Sequence, residues 1–313
     1  MEIQSFSPLQ EAWFLTGATA AGKTRIGLAL AEKIGAEIVS LDSMAIYRGM
    51  DVGTAKPSVR EQEKIPHHLI DIVDPDEECS ITEYLTAAHA VAEKIRNRQR
   101  IPLFVGGTPL YLKALLRGLF PGPPADWKFR SEVEREVESV GVTALHQRLE
   151  LVDPLTAARL HPNDKRRIIR ALEVYRATGR PLSHEQTQFD DVPSQSIRAF
   201  SLQWERINLH RRIELRVEGM FAKGLVEEVA GLRQQYGPLS KTALQAVGYR
   251  EVLAHLDGQR SLAETIEAVK ARTRQFARRQ ETWFRSLSEI RPVPLVEEDS
   301  PESVAARIQQ MAR

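Results

Sequence analysis

The chain has 313 residues, 42% of them hydrophobic and 27% charged, with a formal net charge of +1. That length allows one large domain or two moderate ones, and the composition is that of an ordinary globular protein. A single cysteine, Cys79, excludes an internal disulfide and any multi-cysteine zinc site. No apolar run reaches the length of a membrane span, and the first residues lack a basic stretch leading into an apolar core. The expectation is a cytoplasmic protein that does not enter membranes.

In chain order, residues 12–16 (AWFLT) read as a short apolar strand ending at Gly17, and residues 25–34 as a helix. Residues 37–41 (EIVSL) form a second strand ending at Asp42. Helical spacing over 81–97 leads into a third strand, 101–105 (IPLFV), which ends at Gly106 and Gly107. Strands alternating with helices predict a parallel sheet with right-handed crossovers, an α/β fold of the P-loop type. Ligands of such sheets sit beyond the carboxyl ends of the strands, so Gly17, Asp42 and Gly106 are expected around one cleft. The proline-rich tract 120–126 (FPGPPAD) breaks the pattern. Residues 127–185 read as charged helices, and 200–204 (FSLQW) as a strand returning to the sheet. Long helical runs are predicted at 210–236 and 261–287. The expected organisation is a core of residues 1–120 and 200–313 interrupted by a helical insertion domain, 121–199.

Gly17, Ala18, Thr19, Ala20, Ala21, Gly22, Lys23 and Thr24 match G-x-x-x-x-G-K-[ST], placed after a strand and at the start of a helix. The glycines let the backbone wrap a phosphate so that successive N–H groups face the anion. Lys23 supplies a point charge and Thr24 a hydroxyl ligand for Mg²⁺. An NTPase would show a metal-holding carboxylate after a later apolar strand, whereas 101–105 is followed by Gly106, Gly107 and Thr108. The acidic residue at a strand end is Asp42, placed to hold metal or to act as a general base.

The small net charge hides two basic stretches. Residues 270–291 carry seven Lys/Arg against two Asp/Glu, and 164–180 six against two. Such local excess suits a polyanion, although a solvated helix face would look the same.

The sequence closely resembles the tRNA dimethylallyltransferases (tRNA isopentenyltransferases). The resemblance rests on the P-loop, on DSMAIYRGMDVGTAKP at 42–57, PHHLID at 66–71, GGTPLY at 106–111, HPND at 161–164, VGYR at 247–250 and RRQETWFR at 278–285. Some eukaryotic members carry a C-terminal zinc finger, for which this chain has no cysteines, so the likeness is to the bacterial form. Pro109 stands where Gly or Met is usual.

The resemblance implies transfer of a dimethylallyl group from dimethylallyl diphosphate to N6 of the adenosine just 3′ of the anticodon of a tRNA. It implies a donor diphosphate held by Gly17–Thr24 with Mg²⁺ on Thr24, and Lys23 and Arg216 stabilising the departing diphosphate. Thr19 would lie near the bond that breaks, with Asp42 as the base. tRNA contacts are implied at Asp42, Ser43, Met44, Ala45, Thr108 and Arg130, and at Arg166, Arg167, Ile168, Ile169 and Arg170. Further contacts are implied at Gln245, Ala246, Val247, Gly248, Tyr249 and Arg250. The last set is Arg278, Arg279, Gln280, Glu281, Thr282, Trp283, Phe284 and Arg285. The partner would be the anticodon stem-loop and the protein a monomer. By their residue type, Phe276, Trp283 and Phe284 suit a core better than a base-stacking surface, and Tyr249 suits a core as readily as an RNA surface. An adenylate isopentenyltransferase, another small-molecule P-loop enzyme, or an RNA-binding module with a relic P-loop are the alternatives. The helical insertion and the basic faces disfavour the first two, and intact Lys23, Thr24 and Asp42 the third.

Overall fold

The computed structural model describes residue 9 and residues 11–120, 122–186 and 197–313. Its elements, in order, are β1 (Trp13–Gly17), α1 (Lys23–Ile34), β2 (Ala36–Ser40), α2 (Val59–Lys64), β3 (His67–His68), α3 (Ile81–Asn97), β4 (Ile101–Val105) and α4 (Pro109–Arg117). Then come α5 (Trp127–Val152), α6 (Pro154–Arg159), α7 (Lys165–Thr178), α8 (Leu182–Glu185), β5 (Arg198–Gln203) and α9 (Arg206–Ala222). The chain continues with α10 (Leu225–Tyr236), α11 (Tyr249–Leu256), α12 (Leu262–Arg285), β6 (Arg291–Pro294) and α13 (Pro301–Met311). By contacts these fall into two compact units. One runs from Arg117 through α8, and the other holds Leu9–Leu116 and the chain from β5 onward.

The second unit is built on a six-stranded sheet in the order β3-β2-β4-β1-β5-β6, with every pairing parallel. All five residues of β1 and of β2 are buried, as expected of parallel strands covered on both faces. On one side α1 and α13 pack Ile26, Leu30, Ala305 and Ile308 against Leu15, Leu103, Phe200 and Val293. A second cluster joins Ile46, Tyr47 and Met50 to Leu225 and Val229 of α10 and to Tyr249 and Val252 of α11. A third seats Leu209, Ile213 and Val217 of α9 and Val269 and Ala277 of α12 against Ala18 and Ala20.

The structure adds to the sequence reading in three places. The helix expected at 210–236 is two helices, because Gly224 turns left-handed (φ 92°) and starts α10 afresh. The two-residue β3 extends the β2 edge, while β6 carries Pro292 and Pro294 and pairs with β5 at the other edge. α13 completes the cover over α1.

In the first unit α5 and α7 bury Phe129, Val133, Leu145, Leu149, Ile168 and Leu172 around one core. Gly141 (φ 81°, ψ 161°) kinks α5. Glu173 is 2% exposed and binds Arg130 through two hydrogen bonds of 2.8 Å, Arg170 Nη1 at 2.6 Å and the Asp126 N–H at 2.7 Å. Burial alone would raise its pKa, but the bonds from Arg130 and Arg170 hold it below the ordinary glutamate value.

The strand ends of the sheet approach so closely that one position requires glycine. A Cβ on Gly106 would lie 2.1 Å from the Leu41 carbonyl oxygen. Both partners are backbone, so neither can rotate away. Gly106→Ala should therefore destabilise the protein by roughly 3 kcal/mol, read as an earlier midpoint in urea. An unchanged midpoint would show that the β2 and β4 ends are not in contact.

Candidate active site

The site is assembled from the loops that follow three neighbouring strands, β2, β4 and β1. After β1 the chain wraps through Gly17–Gly22 and enters α1 with Gly22 as N-cap, left-handed (φ 95°) and without a side-chain cap. By contrast α2, α3, α12 and α13 are capped by Ser58, Ser80, Ser261 and Ser300. The first N–H groups of α1 thus have no side-chain cap and are available to an anion.

The wrap is fixed from outside. Arg212 Nε donates to the Ala20 carbonyl (2.9 Å), and Trp204 Nε1 to that of Ala21 (3.0 Å). The Arg212 guanidinium stacks 4.4 Å over the Trp204 ring. From inside, Lys23 Nζ donates to the carbonyls of Gly17 (3.0 Å) and Ala18 (2.9 Å).

Three charges share this space. Burial pushes the Lys23 ammonium down to about 8, the Arg216 charge adds to the effect, and Asp42 opposes it. Arg216 is likewise lowered by burial and supported by Asp42. Its Nη2 donates to the Thr54 carbonyl (3.3 Å), while its buried Nε has no protein partner among the described residues. A buried guanidinium N–H without an acceptor is costly unless an anion completes it. Two cations, one orphaned donor and uncapped helix N–H groups suit a phosphate or diphosphate.

Asp42 sits just past β2, where its Oδ1 accepts the Met44 N–H (2.9 Å). Beside it, Thr108 Oγ1 accepts the Ser43 N–H (3.0 Å), and the Thr108 N–H donates to the Leu41 carbonyl (3.1 Å). Gln280 of α12, 3% exposed, links this turn to the phosphate wrap. The structure therefore brings together Gly17–Thr24, Asp42, Ser43, Thr108 and Arg216, which lie on widely separated segments of the sequence.

The 42–57 motif proves largely structural beyond Thr108's neighbours. The Glu228 carboxylate accepts the N–H groups of Asp51 (2.9 Å), Val52 (2.6 Å) and Gly53 (3.1 Å), and the Tyr249 hydroxyl (2.6 Å). Lys56 pairs with Asp51 and Asp71 and donates to the Tyr47 carbonyl. This brace holds Thr54, the carbonyl that anchors Arg216. Neither Glu228 nor Arg212 as a clamp stands out in the sequence, because a lone Glu or Arg on a helix carries no local signal of its partner.

Several residues implied as RNA contacts have side chains that the structure buries. Ile168 (0% exposed) and Ile169 (4%) belong to the core of the first unit. Tyr249 (0%), Ala246, Ala45 and Phe284 are buried, and Gln280 is turned inward. Apolar packing decides these cases, since each faces the interior side of its helix or turn. Arg130 and Arg170 are drawn to Glu173, and Arg170 Nη2 also donates to the Pro123 carbonyl (2.9 Å). Arg166, Arg167, Gln245, Arg250, Arg278, Arg279, Thr282 and Arg285 are exposed or half-buried, as are Met44, Val247, Glu281 and Trp283. No group of three or more His, Cys, Asp or Glu gathers as a metal site among the described residues. Nor is any of their helices long and apolar enough to cross a membrane.

Comparison with known proteins identifies the relatives of this chain. The profile of the family described as IPP transferase matches residues 45–287, and that of isopentenyl transferase matches residues 10–73. A tRNA dimethylallyltransferase of Rhodopirellula baltica is 49% identical over 98% of this chain and 95% of its own length. One of Desulforudis audaxviator is 46% identical over 94% and 95%. Among solved structures, the full-length tRNA isopentenylpyrophosphate transferase of Bacillus halodurans superposes with a TM-score of 0.71 at 36% identity, covering 97% of this chain and 96% of that one. A eukaryotic dimethylallyltransferase solved acting on tRNA gives a TM-score of 0.77 at 28% identity, over 96% of this chain and 77% of that one.

The charge state of Lys23 makes the site sensitive to pH. Moving an ammonium from the ordinary 10.5 to about 8 withholds about 3 kcal/mol from the charged form. An anion favours that form, so inorganic diphosphate should bind with proton uptake and lose affinity as pH rises through about 8. The sign for folding is opposite: the buried cation's cost is relieved between about 8 and 10.5, so this group stabilises the ligand-free fold as pH rises. Titration calorimetry in buffers of different ionisation enthalpy measures the uptake. Affinity that stays flat from pH 7 to 9.5, or a Lys23→Ala variant with the same uptake, would remove Lys23 from the anion site.

Proposed function

The chain belongs to the IPP transferase family, the tRNA dimethylallyltransferases, and from that premise we propose that it transfers a dimethylallyl group from dimethylallyl diphosphate to N6 of the adenosine immediately 3′ of the anticodon in tRNA. The observation that carries the chemistry is the grouping of Lys23 at the start of α1, Asp42 just past β2 and Arg216 on α9. In this reading the donor diphosphate lies in the Gly17–Thr24 wrap, where α1 N–H groups, Lys23 and the Arg216 Nε meet its oxygens. The amine N6 attacks the first carbon of the prenyl chain, and the carbon–oxygen bond breaks with its electron pair leaving on diphosphate. Lys23 and Arg216 stabilise that growing charge, which is where such groups lower a barrier most. Asp42 takes the N6 proton. An exocyclic adenine amine is a weak nucleophile because its lone pair enters the ring, so a positioned base contributes about 10²–10⁴ in rate.

A hard divalent ion fits the donor set. Thr24 offers a hydroxyl at the start of α1 and Asp42 a carboxylate, and Mg²⁺ takes one or two protein oxygens and completes its shell with phosphate and water. When bound it would neutralise diphosphate charge. The base must leave its stack to reach this recessed site, at a cost of roughly a few kcal/mol. The exposed arginines of α7 and α12 are suited to grip the flanking backbone of the anticodon stem-loop. The same reading makes the protein a cytoplasmic monomer. It is favoured over transfer to free adenylate because the family match extends over the helices after β5, to residue 287.

Incubation of the protein with labelled dimethylallyl diphosphate, Mg²⁺ and either tRNA or AMP tests the acceptor, and label in AMP alone would overturn it. Asp42→Asn should keep tRNA affinity and lose turnover by about 10²-fold or more, since an amide cannot take the proton. If added Mg²⁺ restores the rate, Asp42 serves as a metal ligand instead of a base.

The basic faces carry a separate expectation. Replacing Arg166, Arg167, Arg278, Arg279 and Arg285 by Gln should flatten the log–log dependence of tRNA affinity on salt by about 0.7–0.9 for each phosphate that is no longer neutralised. Inorganic diphosphate binding should not change. An unaltered salt slope would mean that the RNA is held on another surface.

A further inference from the structure

Gln280 lies in the run RRQETWFR, between Arg279 and Glu281, yet its own side chain is 3% exposed. Both ends of its amide are engaged. Oε1 accepts the Thr19 backbone N–H (2.8 Å), and Nε2 donates to the Gly107 carbonyl (2.6 Å). One planar group therefore ties the loop after β1 to the loop after β4, beyond the last paired residues of those strands, Leu15 and Val105. The bond to Thr19 also has a directional effect. A peptide N–H given to Gln280 is not offered to an anion, and the bond fixes the turn at Thr19.

The site is shaped to admit this amide. A Cβ on Gly107 would stand 2.6 Å from Gln280 Nε2 and 3.3 Å from Lys23 Nζ. Any side chain at 107 would therefore have to displace the Gln280 amide and press on the Lys23 ammonium. Lys23 donates to Gly17 and Ala18, just before Thr19, while Gln280 holds Thr19 itself. The turn Gly17–Thr19 is consequently held at three consecutive residues, two through carbonyls and one through an N–H.

We infer that Gln280 is a positioning residue for the transfer reaction: it fixes the phosphate wrap at Thr19 and the Gly106–Thr108 turn in one register, and takes no direct part in gripping RNA. The inference deepens the proposed function and rests on it for the identity of the reaction, but its physical content concerns the anion cradle. Its basis is the double hydrogen bond together with the crowding at Gly107.

The test uses the full chain with two substitutions that approach the same contact from opposite sides. Gln280→Met keeps length and apolar volume and removes both hydrogen bonds. Gly107→Ala leaves the amide intact and displaces it. Each should weaken binding of inorganic diphosphate with Mg²⁺ about tenfold, the loss expected for one to two buried hydrogen bonds, and lower kcat. Affinity for tRNA alone should stay within about twofold. Because both changes break one link, the double variant should be little worse than the worse single one. A merely structural role would instead lower the fraction of folded protein, leaving Kd and KM of what remains unchanged. Diphosphate affinity equal to that of the unaltered chain in either folded variant overturns the inference, as does a loss confined to tRNA affinity or full additivity in the double variant. Should Gln280→Met not fold, Gln280→Glu, which keeps an acceptor for the Thr19 N–H and removes the donor to Gly107, carries the same comparison. Diphosphate binding reads the cradle whether or not tRNA is the acceptor, so this inference and the proposed function fail separately.

Discussion

The candidate site of the second unit depends on two half-buried positive charges held close together. Lys23 and Arg216 repel each other, and burial disfavours both. Asp42 offsets part of that cost. Such a cluster is tolerable only where surrounding dipoles and bonds keep the groups from swinging into solvent. The fold supplies these from unrelated segments: carbonyls of Gly17 and Ala18 for Lys23, the Thr54 carbonyl for Arg216, and the Met44 N–H for Asp42. A preorganised field of this kind does not have to reorient when charge moves onto a leaving group.

Parallel pairing explains why so few residues suffice. Because β2, β4 and β1 are adjacent and point the same way, their following loops converge without any further device. The cost appears as crowding: glycine at 106 against the Leu41 backbone, glycine at 53 against the Tyr249 ring and glycine at 107 against Gln280. The helices then act as clamps. α9 contributes Arg212 and Arg216, α10 contributes Glu228, and α12 contributes Gln280. The geometry of the site thus depends on residues from the inner faces of three helices remote from it in sequence.

The sequence disclosed what is local. The expected helix over 81–97 coincides with α3, because Ser80 and Glu83 form a reciprocal cap and the buried residues recur at helical spacing. The phosphate wrap was legible because its chemistry is main-chain chemistry written in eight consecutive residues. β6 was not, since two prolines in four residues resemble a loop until β5 is seen beside them. The inward stripe of α12, Thr265–Val269–Thr273–Ala277–Gln280–Phe284, is half polar, so hydrophobic periodicity could not give its rotational phase. Gln280 falls on that stripe one turn before Phe284, and this spacing was the available clue. Arg170 could not be told from Arg166 or Arg167 by type, because its partner Glu173 is defined by burial.

The prolines of β6 have an effect beyond the strand itself. Along a strand, N–H groups alternate sides, and the Leu295 N–H just beyond β6 points to Gln203 of β5 (2.8 Å). Arg291 and Val293 share that direction, which leaves Pro292 and Pro294 on the outward side. The last strand therefore shows a passing chain no N–H donors at all. At the opposite margin β3 offers only two residues. A sheet that would otherwise recruit further strands at both ends is closed to them by composition on one side and by brevity on the other, which keeps an all-parallel, slow-pairing sheet from growing into aggregates while it assembles.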